Sequence, residues 1–334
     1  MKQKKQDSIQ AEFVKTLKAL IPAEISIADA LADLLGISTD SAYRRLRCET
    51  DFTLEEIYKI CGRYYISIDS VFSHKSDTVT CNYTTLTDSE ENLEKYLSGL
   101  CNQLKSINAF DDKKIIYAAE EMPIMHSFFN KELTAFKLFY WQRSVLNLPQ
   151  YQGKKFALDI VSPALMKIAE EIHSEYMAIP AIEIWTDETI LTVVKQIEFY
   201  YESGAFATKE DALNILENVK KLAEHLNTAA EREQKINTGN KPGGSYHLYN
   251  SDLVIGTNCI HVKAGRNNFS YISFNTMNSL TTANQVFCKE IEHWMKNLIK
   301  KSSLISGSAE KQRFQFFRNM QRHIDNSMEK IKNQ

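Results

Sequence analysis

Apolar residues recur at helical spacing through the first 65 positions. Ile9, Phe13, Leu17 and Leu20 fall three or four apart and predict an amphipathic helix over 9–21, which Pro22 stops. Ile27, Leu31, Leu34 and Leu35 predict a second helix, with Gly36 as the left-handed residue that ends it. Ser38 and Thr39 offer N-caps for a third helix, running to about Cys48. Thr53-Leu54-Glu55-Glu56 reads as a capping box that opens a fourth, with Leu54, Ile57, Tyr58 and Cys61 as its apolar positions. Ser67-Ile68-Asp69-Ser70 predicts a short fifth turn ending near Phe72. Together these make a compact five-helix unit over 1–75.

Residues 73–87 are polar and poor in helix formers, which places a linker at 76–87. Beyond it the pattern mixes periods. Thr87-Asp88-Ser89-Glu90 is a second capping box, and Leu93, Tyr96, Leu97, Leu100 and Leu104 predict a helix to about 107. A strand is expected at 114–119, an aromatic-rich helix at 126–146, a helix at 163–177, a strand at 181–185 and a helix at 187–203. A long helix over 208–236 leads into a glycine-rich loop at 237–245. Segments 246–250, 253–262 and 269–274 then read as antiparallel strands, and 281–301 and 308–332 as closing helices. The expected fold class is mainly α: the helical unit plus a larger α+β domain over 88–334 with a small antiparallel sheet.

The stretch from Ala28 to Arg47 has the logic of a helix-turn-helix. Ala32 is small enough to let a second helix approach, Gly36 provides a positive φ, and Ile37 plugs the corner. Leu31 and Leu35 share a core with Ala42 and Leu46. That leaves Thr39, Asp40, Tyr43, Arg44 and Arg47 on the exposed face of the second helix, positioned for a major groove. The segment resembles the lambda-repressor/Cro-like (Xre-like) helix-turn-helix family over about residues 9–73, including Thr53-Leu54-Glu55-Glu56-Ile57 and Ile66-Ser67-Ile68-Asp69-Ser70-Val71 after the reading helix. It departs from that family's pattern at Ala42, Arg45 and Cys48, where a larger aliphatic residue, an apolar residue and a glycine are usual.

The resemblance implies that the helix from Ser38 to Arg47 reads bases in double-stranded DNA. Arg44 and Arg47 suit guanine edges or phosphates. Ser38 and Thr39 suit phosphate contact. Tyr43 suits a phosphate or thymine methyl group, and Asp40 a cytosine amino group or the helix dipole. A single unit of this kind reads few base pairs, so a homodimer organised by residues beyond about 88 is expected. The length of the second domain further suggests a sensor for a small-molecule or peptide effector, entering between the aromatic helix and the small sheet. The alternative is a protein-interaction module that uses the fold without DNA.

Charge changes this picture only locally. The chain of 334 residues carries a formal charge of −2, and residues 1–75 hold 11 Lys+Arg against 11 Asp+Glu. DNA affinity must therefore rest on the arginines of one helix face. Residues 286–334 are basic, with 10 Lys+Arg against 5 Asp+Glu. Six scattered cysteines form no zinc spacing and read as reduced thiols. Two Glu-x-x-His pairs, Glu170/His173 and Glu290/His293, have the spacing used in di-iron bundles, but the intervening strands break such a bundle. Ala264-Gly265 matches the self-cleavage dipeptide of repressor-type peptidases, whose following domain is nearly all strand, unlike this one. With no nucleotide-binding or metalloprotease motif, neither an enzyme nor a cofactor or metal is expected. With no signal-peptide pattern and no apolar run long enough to span a membrane, the expected location is the cytoplasm.

Overall fold

The computed structural model describes residues 8–21, 26–64, 66, 68, 78–86, 89–237 and 242–334. The chain groups into two compact units, one built mainly from residues 1–82 and one mainly from 83–334, with short stretches of 266–289 assigned to the first.

In the first unit, α1 (Ile9–Leu20) starts at the Ser8 cap, α2 (Ile27–Leu35) at Ser26 and α3 (Thr39–Leu46) at Ser38, each hydroxyl accepting a first-turn backbone N–H. The fourth helix, α4 (Leu54–Tyr64), opens with the reciprocal pair Glu56 N–H to Thr53 Oγ1 at 3.2 Å and Thr53 N–H to Glu56 Oε2 at 3.0 Å. Phe13, Leu17, Leu31, Ala42, Leu46 and Ile60 form the centre of its core. Two apolar positions expected to pack do not: Leu54 and Tyr58 are each 79% exposed, because Ile57, Ile60 and Cys61 turn the inward face of α4 away from them. Apart from Ile68, which is exposed, the expected turn at 67–72 lies outside the described residues.

The second unit opens with α5 (Glu90–Asn108), capped by Ser89. There follow β1 (Lys113–Ala118), α6 (Ile124–Ser127), α7 (Lys131–Tyr140), α8 (Pro163–Ala178), β2 (Ala181–Trp185), α9 (Leu191–Glu202), α10 (Lys209–Arg232) and β3 (Tyr246–Asn250). Then come β4 (Cys259–Ala264), β5 (Asn267–Phe274), β6 (Asn278–Thr282), α11 (Gln285–Lys300), β7 (Ser303–Leu304) and α12 (Glu310–Asn333).

The expectation of a small antiparallel sheet is wrong. The strands form one seven-stranded mixed sheet in the order β6-β5-β4-β1-β2-β3-β7. β1, β2 and β3 are parallel neighbours, while β4 runs antiparallel to β1 and β7 antiparallel to β3. The physical reason is the connections. Helices separate β1 from β2 and β2 from β3, and a crossover of that length returns the chain to the end of the sheet where the previous strand began, so the next strand runs in the same direction. Segment 246–250 therefore joins β2 rather than pairing with the strand that follows it. Helices hold 57% of the described residues, so the helical majority remains.

The aromatic segment expected as one helix is broken. α6 ends at Ser127, Asn130 caps α7 by accepting from Leu133 N–H at 3.0 Å, and Trp141–Val145 continues as a π-helical turn. Phe136 and Phe139 pack on Phe156, Tyr200 and Phe206 at ring separations of 5.6–5.8 Å. Phe136, Phe139 and Trp141 are buried, while Phe129 and Tyr140 are half-buried.

Candidate nucleic-acid interface

α3 owes its existence to both ends. Ser38 Oγ accepts from Ser41 N–H at 3.2 Å, while Gly36 turns the chain between α2 and α3 at φ 69°. The apolar residues Ala42 and Leu46 bury one face. At the other end Cys48 sits at φ 57°, where its N–H donates to Arg45 O at 2.9 Å and the Glu49 N–H to Arg44 O at 2.8 Å. This pairing satisfies the last carbonyls of the helix, and it places Cys48 where glycine is favoured. Gln10 on α1 fastens the segment that follows. Its side-chain amide donates to the carbonyls of Arg45 and Thr50 and accepts from Phe52 N–H at 3.1 Å.

All six residues singled out from the sequence, Ser38, Thr39, Asp40, Tyr43, Arg44 and Arg47, are exposed and lie on α3 or its caps. Their circumstances differ. The Ser38 hydroxyl is used as the cap, and the Thr39 hydroxyl donates to Asp29 on α2 at 3.2 Å. Arg44 forms no ion pair among the described residues. Arg47 meets Glu49 at 3.0 Å.

Arg45, in the middle of the Arg-Arg-x-Arg cluster, turns inward. Its Nε and Nη2 donate to the two carboxylate oxygens of Glu56, each at 2.9 Å, and its Nη1 donates to Ser41 O. Burial pushes the Glu56 carboxyl up, but the Arg45 guanidinium and the Thr53 N–H outweigh it, and the group ends below its ordinary value. This pair joins α3 to α4 and explains the charge at a position where the resembling family has an apolar residue.

A cleft of about 310 Å³ opens beside α3. Lys18 of α1, the Ser26 cap of α2, Tyr43 and Arg47 border it. It brings two cations and the N-terminal dipole of α2 to one concavity, an arrangement suited to an anionic group. Lys18 escaped the sequence reading because it is an ordinary polar position on the outer face of α1.

The second unit holds a buried polar centre that the sequence reading also missed. Glu183 on β2 is fully buried. One carboxylate oxygen accepts from Tyr176 at 2.6 Å, the other from Trp185 Nε1 at 2.9 Å and Tyr246 at 3.1 Å, and His126 Nε2 lies 2.8 and 3.0 Å from the two. Burial alone pushes this carboxyl up, but His126, Lys235 and the Tyr176 hydroxyl bring it down to about 2. Lys235 is buried over the Tyr176 ring and donates to Tyr176 O at 2.9 Å; burial lowers its amine to about 7. Burial also lowers His173 and His225 to about 4. With its lone pairs taken, the carboxylate serves as an electrostatic hub for five segments rather than as a base.

The two Glu-x-x-His pairs do not converge. His173 is buried against Met125 O while Glu170 is exposed, and His293 contacts Asn297. No helix among the described residues is long and apolar enough to cross a membrane.

Residues 5–94 match the family model of the BetR domain, a family of DNA-binding domains of the helix-turn-helix type. The match covers about a quarter of the chain and includes α1 to α4. It indicates a DNA-binding regulator role in general. No curated protein and no solved structure matches the chain.

Proposed function

We propose that this protein is a sequence-specific transcription regulator that reads duplex DNA with α3. The observation that carries this reading is the division of labour among its arginines. Arg45 is committed to Glu56, while Arg44 and Arg47 project from the one face that also exposes Ser38, Thr39, Asp40 and Tyr43. In this reading the arginines donate to guanine edges or phosphates, and Lys18 with the α2 N-terminus clamps a backbone phosphate beside them. In this reading the head is lambda-repressor-like. A DNA-binding head over 1–75, a linker over 76–87 and a regulatory domain over 88–334 complete the organisation. The regulatory domain supplies homodimerisation and a place for a small-molecule or peptide effector, and the protein acts in the cytoplasm without catalysis.

The neutral charge of the head and the exposed Leu54 and Tyr58 on α4 favour a second reading, a protein-interaction module. One experiment separates the two: selection of bound sequences from random duplexes by the full-length protein, followed by titration of a selected site at several salt concentrations. A regulator yields a consensus and a salt-dependent affinity. Recovery of unselected sequence at every round would sink the DNA reading.

A further inference from the structure

Arg47 and Glu49 are both exposed, at 56% and 46% of their side chains, and an ion pair so placed is ordinarily worth little. This one differs in two respects. It is bidentate, with Arg47 Nε 3.0 Å from Glu49 Oε1 and Nη2 donating to Oε2 at 3.1 Å. Its backbone is also fixed on both sides. The left-handed turn at Cys48 swings the chain back, the Glu49 N–H is bound to Arg44 O, and Gln10 holds the carbonyls of Arg45 and Thr50. The carboxylate therefore returns to the side of α3 on which Arg47 stands.

A guanidinium offers its five N–H groups along distinct edges. Glu49 occupies the edge formed by Nε and Nη2. The edge left over, Nη1 with the second Nη2 hydrogen, matches the paired O6 and N7 acceptors of guanine in the major groove. A carboxylate on a face turned toward phosphates lowers affinity for any sequence, so its presence there makes sense as an exchange of affinity for direction. Arg44, without such a partner, is free to follow phosphates.

Resting on the DNA-binding reading above, we propose that Glu49 is a positioning residue: it holds the Arg47 guanidinium by one edge and presents the other to a guanine, setting specificity at one base pair. The test is selection from random duplexes with the full-length wild type, Glu49→Gln, Arg47→Ala and the double variant, alongside affinity for an unrelated duplex. The expected result is that Glu49→Gln binds the unrelated duplex as well as the wild type or better, while its preference at a single G·C position falls at least about threefold. Arg47→Ala loses preference at that same position, and the double variant loses no more. If Glu49→Gln tightens binding to all sequences with every preference intact, Glu49 is only a repulsive surface charge and the proposal is overturned. It is overturned equally if the two single variants affect different positions. A wild type that shows no preference at any position instead removes the DNA reading, and the proposal with it.

Discussion

Cys48 holds a left-handed backbone at φ 57°, a conformation that costs an L side chain roughly 1–2 kcal/mol relative to glycine. Its thiol side is partly buried against the head core, which offsets some of that cost. Cys48→Ala keeps the strain and loses the contact, whereas Cys48→Gly loses the contact and the strain together. Chemical denaturation should therefore find Cys48→Gly more stable than Cys48→Ala by about 1 kcal/mol. The partly buried Arg45–Glu56 pair belongs to the same scale. A double-mutant cycle with Arg45→Met and Glu56→Gln should return a coupling of about 1–2 kcal/mol, above that of exposed pairs. The lowered Glu56 carboxyl adds stability that is present above its ordinary titration range and fades as pH falls through its folded value.

α3 is short, and two turns of helix do not persist in water unaided. Its ends and its buried face hold it in place, and that rigidity is what a reading helix requires. Gly36 is the element's hinge point: a Cβ there meets nothing within 4 Å, so the cost of Gly36→Ala is conformational alone, about 1 kcal/mol or somewhat more. Substituting the outward arginines has a different signature. Arg44→Ala and Arg47→Ala should leave the melting temperature nearly unchanged. Each should weaken binding to a selected duplex by about 1–3 kcal/mol where it meets a base, or lower the salt dependence where it meets a phosphate. Anisotropy titrations at two salt concentrations distinguish these outcomes, and unchanged binding in both variants would remove α3 as the reader.

At the scale of the molecule, the Glu183 centre ties β2 to α6, α8, β3 and the segment after α10. Glu183→Gln takes away the carboxylate that accepts from Tyr176, Trp185 and Tyr246 and that faces the buried Lys235, and the second unit should lose about 3–5 kcal/mol. The pH response of this unit follows from two further histidines and from Glu183 itself. His173 and His225 are lowered to about 4 when folded, so the unfolded chain binds protons first as pH falls below its ordinary histidine value near 6.5. Stability should then decline between about pH 6.5 and 4. The contribution of Glu183, lowered to about 2, goes only below that, from its ordinary range downward. Urea midpoints of the full chain measured across this range should fall, and His225→Gln should flatten the upper part of the decline.

The helical head was readable from the sequence because its cues are local. Ser38 and Thr53 cap helices wherever they stand before an apolar period, Gly36 marks a left-handed turn, and the alternation of buried and exposed positions on α3 needs only 3.6 residues per turn. What the tertiary structure decided is non-local. Arg44, Arg45 and Arg47 look alike in sequence; only the approach of α4 removes the middle one to Glu56, and only the turn at Cys48 gives Arg47 a carboxylate. Glu183 in Ala-Ile-Glu-Ile-Trp has the pattern of a strand with one wet face. It is buried because helices lie on both faces of the sheet, with Ile184 against Met295 and Leu298 of α11 on one side and Glu183 against Tyr176 of α8 on the other. Strand order has the same origin: which strands become neighbours depends on where the intervening helices pack, and no single segment of the chain encodes that alone.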